Sequence, residues 1–221
     1  MKPASKDQII AYYDDYLEYL KEDHVISNKR HRHIRVKLSS LIRRGAKILD
    51  LGCGTGLTSH WIAQCGGIVT AVDISPKLIA FARKKSAHKN IKYIISDITE
   101  LNLRKKFDGI VMVDVFEHIP KGNIDKLMEA IKKHSHENTW IFLNLPDERY
   151  QCMAYVHIKD KLQIVDEGYS ISVILGKFRA IGFEAAKIDI YGLDIICQYN
   201  SFLFTPKKKL MNAYETGMKG K

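Results

Sequence analysis

The most constraining stretch of this chain is Ile48-Leu49-Asp50-Leu51-Gly52-Cys53-Gly54-Thr55-Gly56-Leu57. An apolar run of strand length enters a turn with glycine at every second position, and a helical pattern opens directly after it. Glycines at such a turn let the backbone adopt positive φ and approach a ligand closely. The N–H groups that start the following helix favour an anionic group. A dinucleotide fingerprint would place a third glycine at position 57, which is Leu57 here, so a pyrophosphate site of the NAD type is disfavoured. No Gly-Lys-Ser/Thr follows the glycines, which excludes a P-loop.

The segments after this turn repeat the same grammar. Strands are expected at 47–51, 68–72, 91–95, 108–113 and 139–145, with helices at 58–65, 75–88 and 123–136. The strands are nearly continuous apolar runs, the pattern of a parallel sheet covered on both faces. Right-handed crossovers then place all strand C-termini on one edge, where such sheets bind ligands. Ser75-Pro76 reads as a helix start, with serine as cap and proline in the first turn. A helix at 170–181 leads to strands at 183–191 and 198–205 with no helix between them, the mark of an antiparallel hairpin. Before the sheet, helices are expected at 7–20 and 31–42, forming an N-terminal helical cap over residues 1–45. Residues 147–169 are polar and irregular and read as a lid-like insertion over the active edge of a domain spanning 46–206. Residues 207–221 read as a basic, disordered tail.

Charge and cysteine content narrow the classes further. The net charge of +10 draws on that tail and on Lys29-Arg30-His31-Arg32-His33 with Arg35, Lys37, Arg43 and Arg44. Such a surface attracts anionic small molecules or nucleic acid. Cys53, Cys65, Cys152 and Cys197 form no C-x-x-C pair, so four reduced thiols are expected, with no zinc site and no disulfide framework. No metal constellation stands out. No apolar run approaches the ~20 residues of a membrane span. The N-terminus lacks an apolar signal core, so a cytoplasmic location is expected.

Asp73 ends the second strand, 21 residues past Gly52. A carboxylate there can accept hydrogen bonds from both ribose hydroxyls. With it, Asp50-Leu51-Gly52-Cys53-Gly54-Thr55-Gly56, Val72-Asp73, Ser96-Asp97-Ile98 and Asp114-Val115-Phe116-Glu117-His118-Ile119 resemble the class I S-adenosylmethionine-dependent methyltransferases. They are most similar to the branch holding ubiquinone-biosynthesis and other small-molecule methyltransferases. The resemblance covers residues 47–146 and the C-terminal hairpin. It implies a Rossmann-like, seven-stranded, mostly parallel α/β sheet with helices on both faces. It implies S-adenosyl-L-methionine as cofactor and S-adenosyl-L-homocysteine as product. Asp50 and the backbone of Gly52, Cys53, Gly54 and Gly56 would hold the methionine part, and Asp73 the ribose. Asp97 would meet the adenine amino group, with the Ile98 backbone nearby and Ile74 stacked on the ring. Asp114 and Val115 would lie beside the methionine amino end and the sulfonium.

Methyl transfer needs an in-line nucleophile about 3–3.5 Å from the methyl group, so orientation does much of the work. A hydroxyl acceptor also gains from a base. The candidates are His118, Glu117, Asp147 and His157; a histidine near its ordinary pKa of ~6.5 suits the task at neutral pH. Tyr12, Tyr13 and Tyr16 suggest that the first helix closes over cofactor and acceptor. Arg32 or Arg35 is placed to meet a carboxylate of the cofactor or the acceptor. The compact cap fits a small-molecule acceptor, with a hydroxyl of a sugar or biosynthetic intermediate favoured and a small-molecule amine as the alternative. RNA methylation on the basic surface is a further alternative. Against it, no separate RNA-binding domain is present, and the Asn-Pro-Pro-Tyr-like motif of base-amino methyltransferases is missing. A non-catalytic cofactor-binding scaffold is the reading least compatible with the intact glycine turn.

Overall fold

A computed structural model describes residues 4–25 and 29–219 of the 221. Two helices, α1 (Lys6–Val25) and α2 (Lys29–Ser39), precede the sheet. The chain then runs β1 (Lys47–Leu51), α3 (Leu57–Gln64), β2 (Ile68–Asp73), α4 (Pro76–Lys85), β3 (Ile91–Ile95) and β4 (Phe107–Val113). It continues with α5 (Ile124–His134), β5 (Ser135–Pro146), α6 (Glu148–His157) and α7 (Ile171–Ala180), and closes with β6 (Phe183–Tyr191), β7 (Tyr199–Pro206) and α8 (Lys207–Lys219).

The seven strands form one sheet in the order β3-β2-β1-β4-β5-β7-β6. β1 to β5 pair in parallel, and β7 runs antiparallel to both β5 and β6. This is a Rossmann-like α/β sheet. β1 lies between β2 and β4, so the chain winds outward from it in both directions, and the crevice at the C-terminal ends of β1 and β4 is the switch point.

Alternation along the strands feeds two cores. Leu49, Leu51, Ile110, Met112, Ile141, Leu143 and Leu145 face the side covered by α5 and α7. Ile48, Val111 and Phe142 face the side covered by Ile34 and Leu38 of α2, Ile62 of α3 and Ile79 of α4. Burial on both faces is why the central strands read as unbroken apolar runs. α4 starts as its sequence dictates: Ser75 Oγ accepts from Leu78 N at 3.1 Å, with Pro76 in the first turn.

Three expectations change. Residues 147–169 are not irregular throughout, because Asp147 accepts from Arg149 N and caps α6. That helix buries only Gln151 and Ala154, too little to leave an apolar period in the sequence. Residues 207–219 form α8 rather than a disordered tail; residues 220 and 221 lie outside the described residues. The run after Pro206 is rich in Lys, Leu, Met and Ala, all good helix formers, and its start is tied down by Lys207 N donating to Gly182 O at 2.9 Å. β5 begins at Ser135, paired with Phe107, four residues earlier than expected.

Candidate active site

A cavity of about 820 Å³ opens over the C-terminal ends of β1 to β4. Its floor is the strand ends, its walls are α1 and the start of α2, and its rim includes Leu193, Asp194 and Gln198 of the β6–β7 loop.

The glycine turn forms the deepest wall. Gly52, Gly54 and Gly56 hold φ of 72°, 53° and 78°. At Gly52 a Cβ would stand 2.2 Å from Val115 Cγ2, so close approach as well as positive φ demands glycine there. At Gly56 a Cβ would meet the Tyr93 hydroxyl at 2.4 Å. The Cys53 thiol is buried, which pushes its pKa well up; it is an inert small hydrophobe. All four cysteines are free thiols.

Four carboxylates line this end of the cavity. Asp50 is buried, and its Oδ2 accepts from Ser59 Oγ at 2.5 Å. Burial, with Asp73 adding, raises its pKa to about 7 against the pull of Ser59. Asp73 Oδ2 accepts from Gly54 N at 2.8 Å and Oδ1 from Ser75 N at 3.0 Å. Burial raises its pKa, while the N–H donors of Ser75, Gly54 and Ile74 oppose the rise. Asp97 turns back on Thr99, accepting from its N at 2.9 Å and its Oγ1 at 2.8 Å, and also meets Lys6 Nζ at 3.4 Å. Asp114 sits at φ 52°, with Oδ1 accepting from Asn144 Nδ2 at 2.9 Å and Oδ2 paired to Arg30 Nη1 at 2.9 Å. Ile74, Ile98 and Val115 line the same space.

The four candidate bases separate sharply. His118 lines the cavity. Its Nδ1 lies 2.8 Å from Val165 O, and a carbonyl only accepts, so Nδ1 carries the proton and Nε2 presents a lone pair. Burial lowers its pKa below the ordinary histidine value, with Asp166, the Val165 carbonyl and Asp114 opposing in part. Glu117 is fully buried behind it and outside the cavity lining, 3.7 Å from His118 Nε2. Burial, and then Asp114, push its carboxyl well above the usual carboxylate range. Asp147 lies outside the lining: it caps α6, accepts from Arg149 Nε at 2.7 Å and from Asn200 Nδ2 at 2.9 Å, and has no free oxygen for an acceptor. Burial would raise its pKa, but donation from Arg149 and Asn200 outweighs that and holds it below the carboxylate range. His157 is exposed on α6, in a separate apolar groove with Met153, Ile195 and Ile196.

The cap reaches the cavity as its tyrosines suggest. Tyr13, Tyr16 and Tyr19 line it, while Tyr12 stacks on Tyr16 at 5.5 Å. The Tyr13 ring packs on His118 at 6.3 Å, and its hydroxyl is buried without a hydrogen-bond partner. α1 is pinned over α4 by Asp14 Oδ1, which accepts from Ser75 Oγ at 2.5 Å and Lys77 N at 3.0 Å. On α2, Arg32 lines the cavity but Arg35 does not; its guanidinium lies 5.7 Å over the Trp61 ring. Arg30, just before the two arginines singled out by sequence, is the α2 residue that pairs with a strand-end carboxylate, Asp114. Its only sequence signal is membership of the basic run.

Among the described residues no group of three His, Cys, Asp or Glu is arranged to hold a metal ion. The donor set suits S-adenosylmethionine. Four carboxylates would complement the hydroxyls, amino groups and positive charge of such a ligand, the Asp73 oxygens keep lone pairs beyond their backbone donors, and the turn admits close approach.

Comparison with known proteins agrees. Residues 48–138 match a family model described as a methyltransferase domain. The mitochondrial ubiquinone biosynthesis O-methyltransferase of Schizosaccharomyces pombe is 37% identical over 95 residues, 40% of this chain and 35% of that protein. The match thus spans about a third of that relative's length. A TehB-like SAM-dependent methyltransferase from Corynebacterium glutamicum superposes with a TM-score of 0.69 at 18% identity, covering 89% of this chain and 99% of the other. DhpI, in its complex with SAH, gives 0.72 at 16% identity over 91% and 96%. Residues 48–138 thus carry the sequence likeness of a methyltransferase domain, and nearly the whole chain shares the fold of solved S-adenosylmethionine-dependent methyltransferases.

Proposed function

We propose that this chain transfers a methyl group to a hydroxyl of a small molecule, a sugar or a biosynthetic intermediate, with His118 as general base. The single observation behind this reading is the state of His118: a cavity-lining imidazole whose pKa is lowered by burial, with its proton fixed on Nδ1 by Val165 and Nε2 left as the accepting nitrogen. S-adenosylmethionine supplies a methyl group already activated on a sulfonium. The chain's own contribution is placement and proton transfer. The acceptor O–H would donate to His118 Nε2 and give up its proton there as the methyl carbon exchanges its bond to sulfur for one to the acceptor oxygen, with S-adenosyl-L-homocysteine as the leaving group. Val165 O keeps hold of Nδ1–H, and Asp166 and Asp114 favour the resulting imidazolium. The unpartnered Tyr13 hydroxyl, packed against the same ring, offers the acceptor a second hydrogen bond. α1 and α2 close over the site and exclude water.

The amine alternative draws on the acidic groups near His118, Asp114 and Asp166, which would orient an ammonium before it loses its proton. The RNA alternative loses ground because Lys29, Arg30 and Lys37 of the basic run pair with Asp194, Asp114 and Asp189 within the fold. Among the described residues no helix is long and apolar enough to cross a membrane.

The test is a screen of hydroxyl and amine acceptors with methyl-labelled cofactor, followed by His118→Asn on any acceptor found. The variant should lose about 10²–10⁴ in kcat/KM while binding S-adenosylhomocysteine as before. It should also lose a pH limb that the parent shows below the ordinary histidine range. Activity within about threefold of the parent would remove His118 as base and favour a neutral amine acceptor.

A further inference from the structure

Asp114 is the one cavity carboxylate held in left-handed backbone geometry, and the way it is held reaches two strands beyond the cavity. A non-glycine residue at φ 52° persists where its surroundings over-determine it. Here the Asp114 N–H donates to Asn144 O at 2.8 Å, and Asn144 Nδ2 donates to Asp114 Oδ1 at 2.9 Å. Asn144 is fully buried on β5, outside the cavity lining. Its amide is oriented with the NH2 group toward the accepting carboxylate oxygen of Asp114 and Oδ1 facing away. Oδ1 accepts from the Tyr191 hydroxyl at 2.7 Å. Tyr191, on β6, is itself clamped, with His33 stacked on its ring at 4.0 Å and Tyr199 at 5.5 Å. The Tyr191 hydroxyl thus anchors the far side of an amide that Asp114 already orients, so that Asn144 is held at both ends.

We propose that Tyr191 and Asn144 are positioning residues for the cofactor's amino-acid end: Tyr191 anchors the Asn144 amide in place, and Asn144 aims Asp114. This rests on the reading of Asp114 as the residue beside the methionine amino group. It assigns a binding role to two residues that touch neither cofactor nor acceptor.

Tyr191→Phe tests this by removing one oxygen and keeping the ring between His33 and Tyr199. Two probes are titrated calorimetrically: S-adenosylhomocysteine, and 5′-methylthioadenosine, which has the same adenosine and sulfur but no amino-acid end. Tyr191→Phe should weaken S-adenosylhomocysteine about three- to tenfold, the scale of one hydrogen bond, and leave methylthioadenosine unchanged. In an Asp114→Ala background the same substitution should have no further effect. A merely structural role would weaken both probes alike and persist in that background. Equal weakening of both probes, or no weakening of either, overturns the proposal while leaving the cofactor reading intact. Failure of the parent protein to bind either probe overturns the cofactor reading and this proposal with it.

Discussion

Replacing Asp50 with asparagine should stabilise the protein at alkaline pH and do little at acid pH. Asp50 is buried, its pKa stands at about 7 against an ordinary 3.8, and burial is the main cause. A carboxyl raised in the fold keeps its proton where the unfolded chain has lost it. Its stability contribution is therefore complete below about pH 4 and drains away as pH rises to about 7. Three pH units at about 1.4 kcal/mol each put the total near 4 kcal/mol, an upper figure. Asparagine has no proton to exchange, and its carbonyl can still accept from Ser59 Oγ. Asp73 and Glu117 are raised as well, so the parent keeps a pH slope in either case; the Asp50 share is isolated by the difference between parent and variant. Urea melts followed by fluorescence of Trp61 and Trp140 at pH 4.5, 6, 7 and 8.5 measure it. The gap should open by up to about 4 kcal/mol in favour of the asparagine variant between the lowest and highest pH. A gap that stays constant across this range would mean that Asp50 is already ionised in the fold, and the reasoning from burial would fail.

Gly52→Ala should cost about 2–5 kcal/mol, from left-handed strain and the clash with Val115; Val115→Ala in the same chain should return the clash share alone, and simple additivity in urea melts would refute the packing argument. Asp14→Ala removes both bonds that pin α1 to the start of α4. Trypsin should then cut at Lys6 and Lys21 faster while the sheet core survives, and an unchanged cleavage rate would show that α1 is held by packing alone. Met112→Ala, at a fully buried β4 position, should cost about 2–5 kcal/mol without changing affinity for S-adenosylhomocysteine per folded molecule, as read by calorimetry.

What can be read in the sequence, and what cannot, divides along the distance over which each contact acts. β3 lies at 91–95 and β6 at 183–191, as expected, because strands packed into a sheet of this kind leave apolar-rich runs bounded by polar or turn residues. Ser75-Pro76 and the glycine turn carry their geometry in neighbouring residues, so the turn and the strand-end carboxylates beside it are legible from motif order alone. α6 is not, since a helix that buries only Gln151 and Ala154 leaves no apolar period. Asp147 reads as a candidate base for the same reason: without the helix in view, its role as cap is invisible. The choice of Arg30 over Arg32 and Arg35 depends on the phase at which α2 docks, and that phase is set by Ile34 and Leu38 against the sheet. The longest-range case is Tyr191 and Asn144, 47 residues apart and joined only because β7 inserts between β5 and β6. Tyr191 stands opposite Tyr199, and Asn144 opposite Ser201 two residues further along the same strand. A side chain on the outermost strand thereby reaches across β7 to an amide on β5, and through it to a carboxylate at the end of β4. Local chemistry set the glycine turn and the carboxylates around it. Strand order decides how firmly Asp114 is held, and strand order is the property least visible in a sequence read from one end to the other.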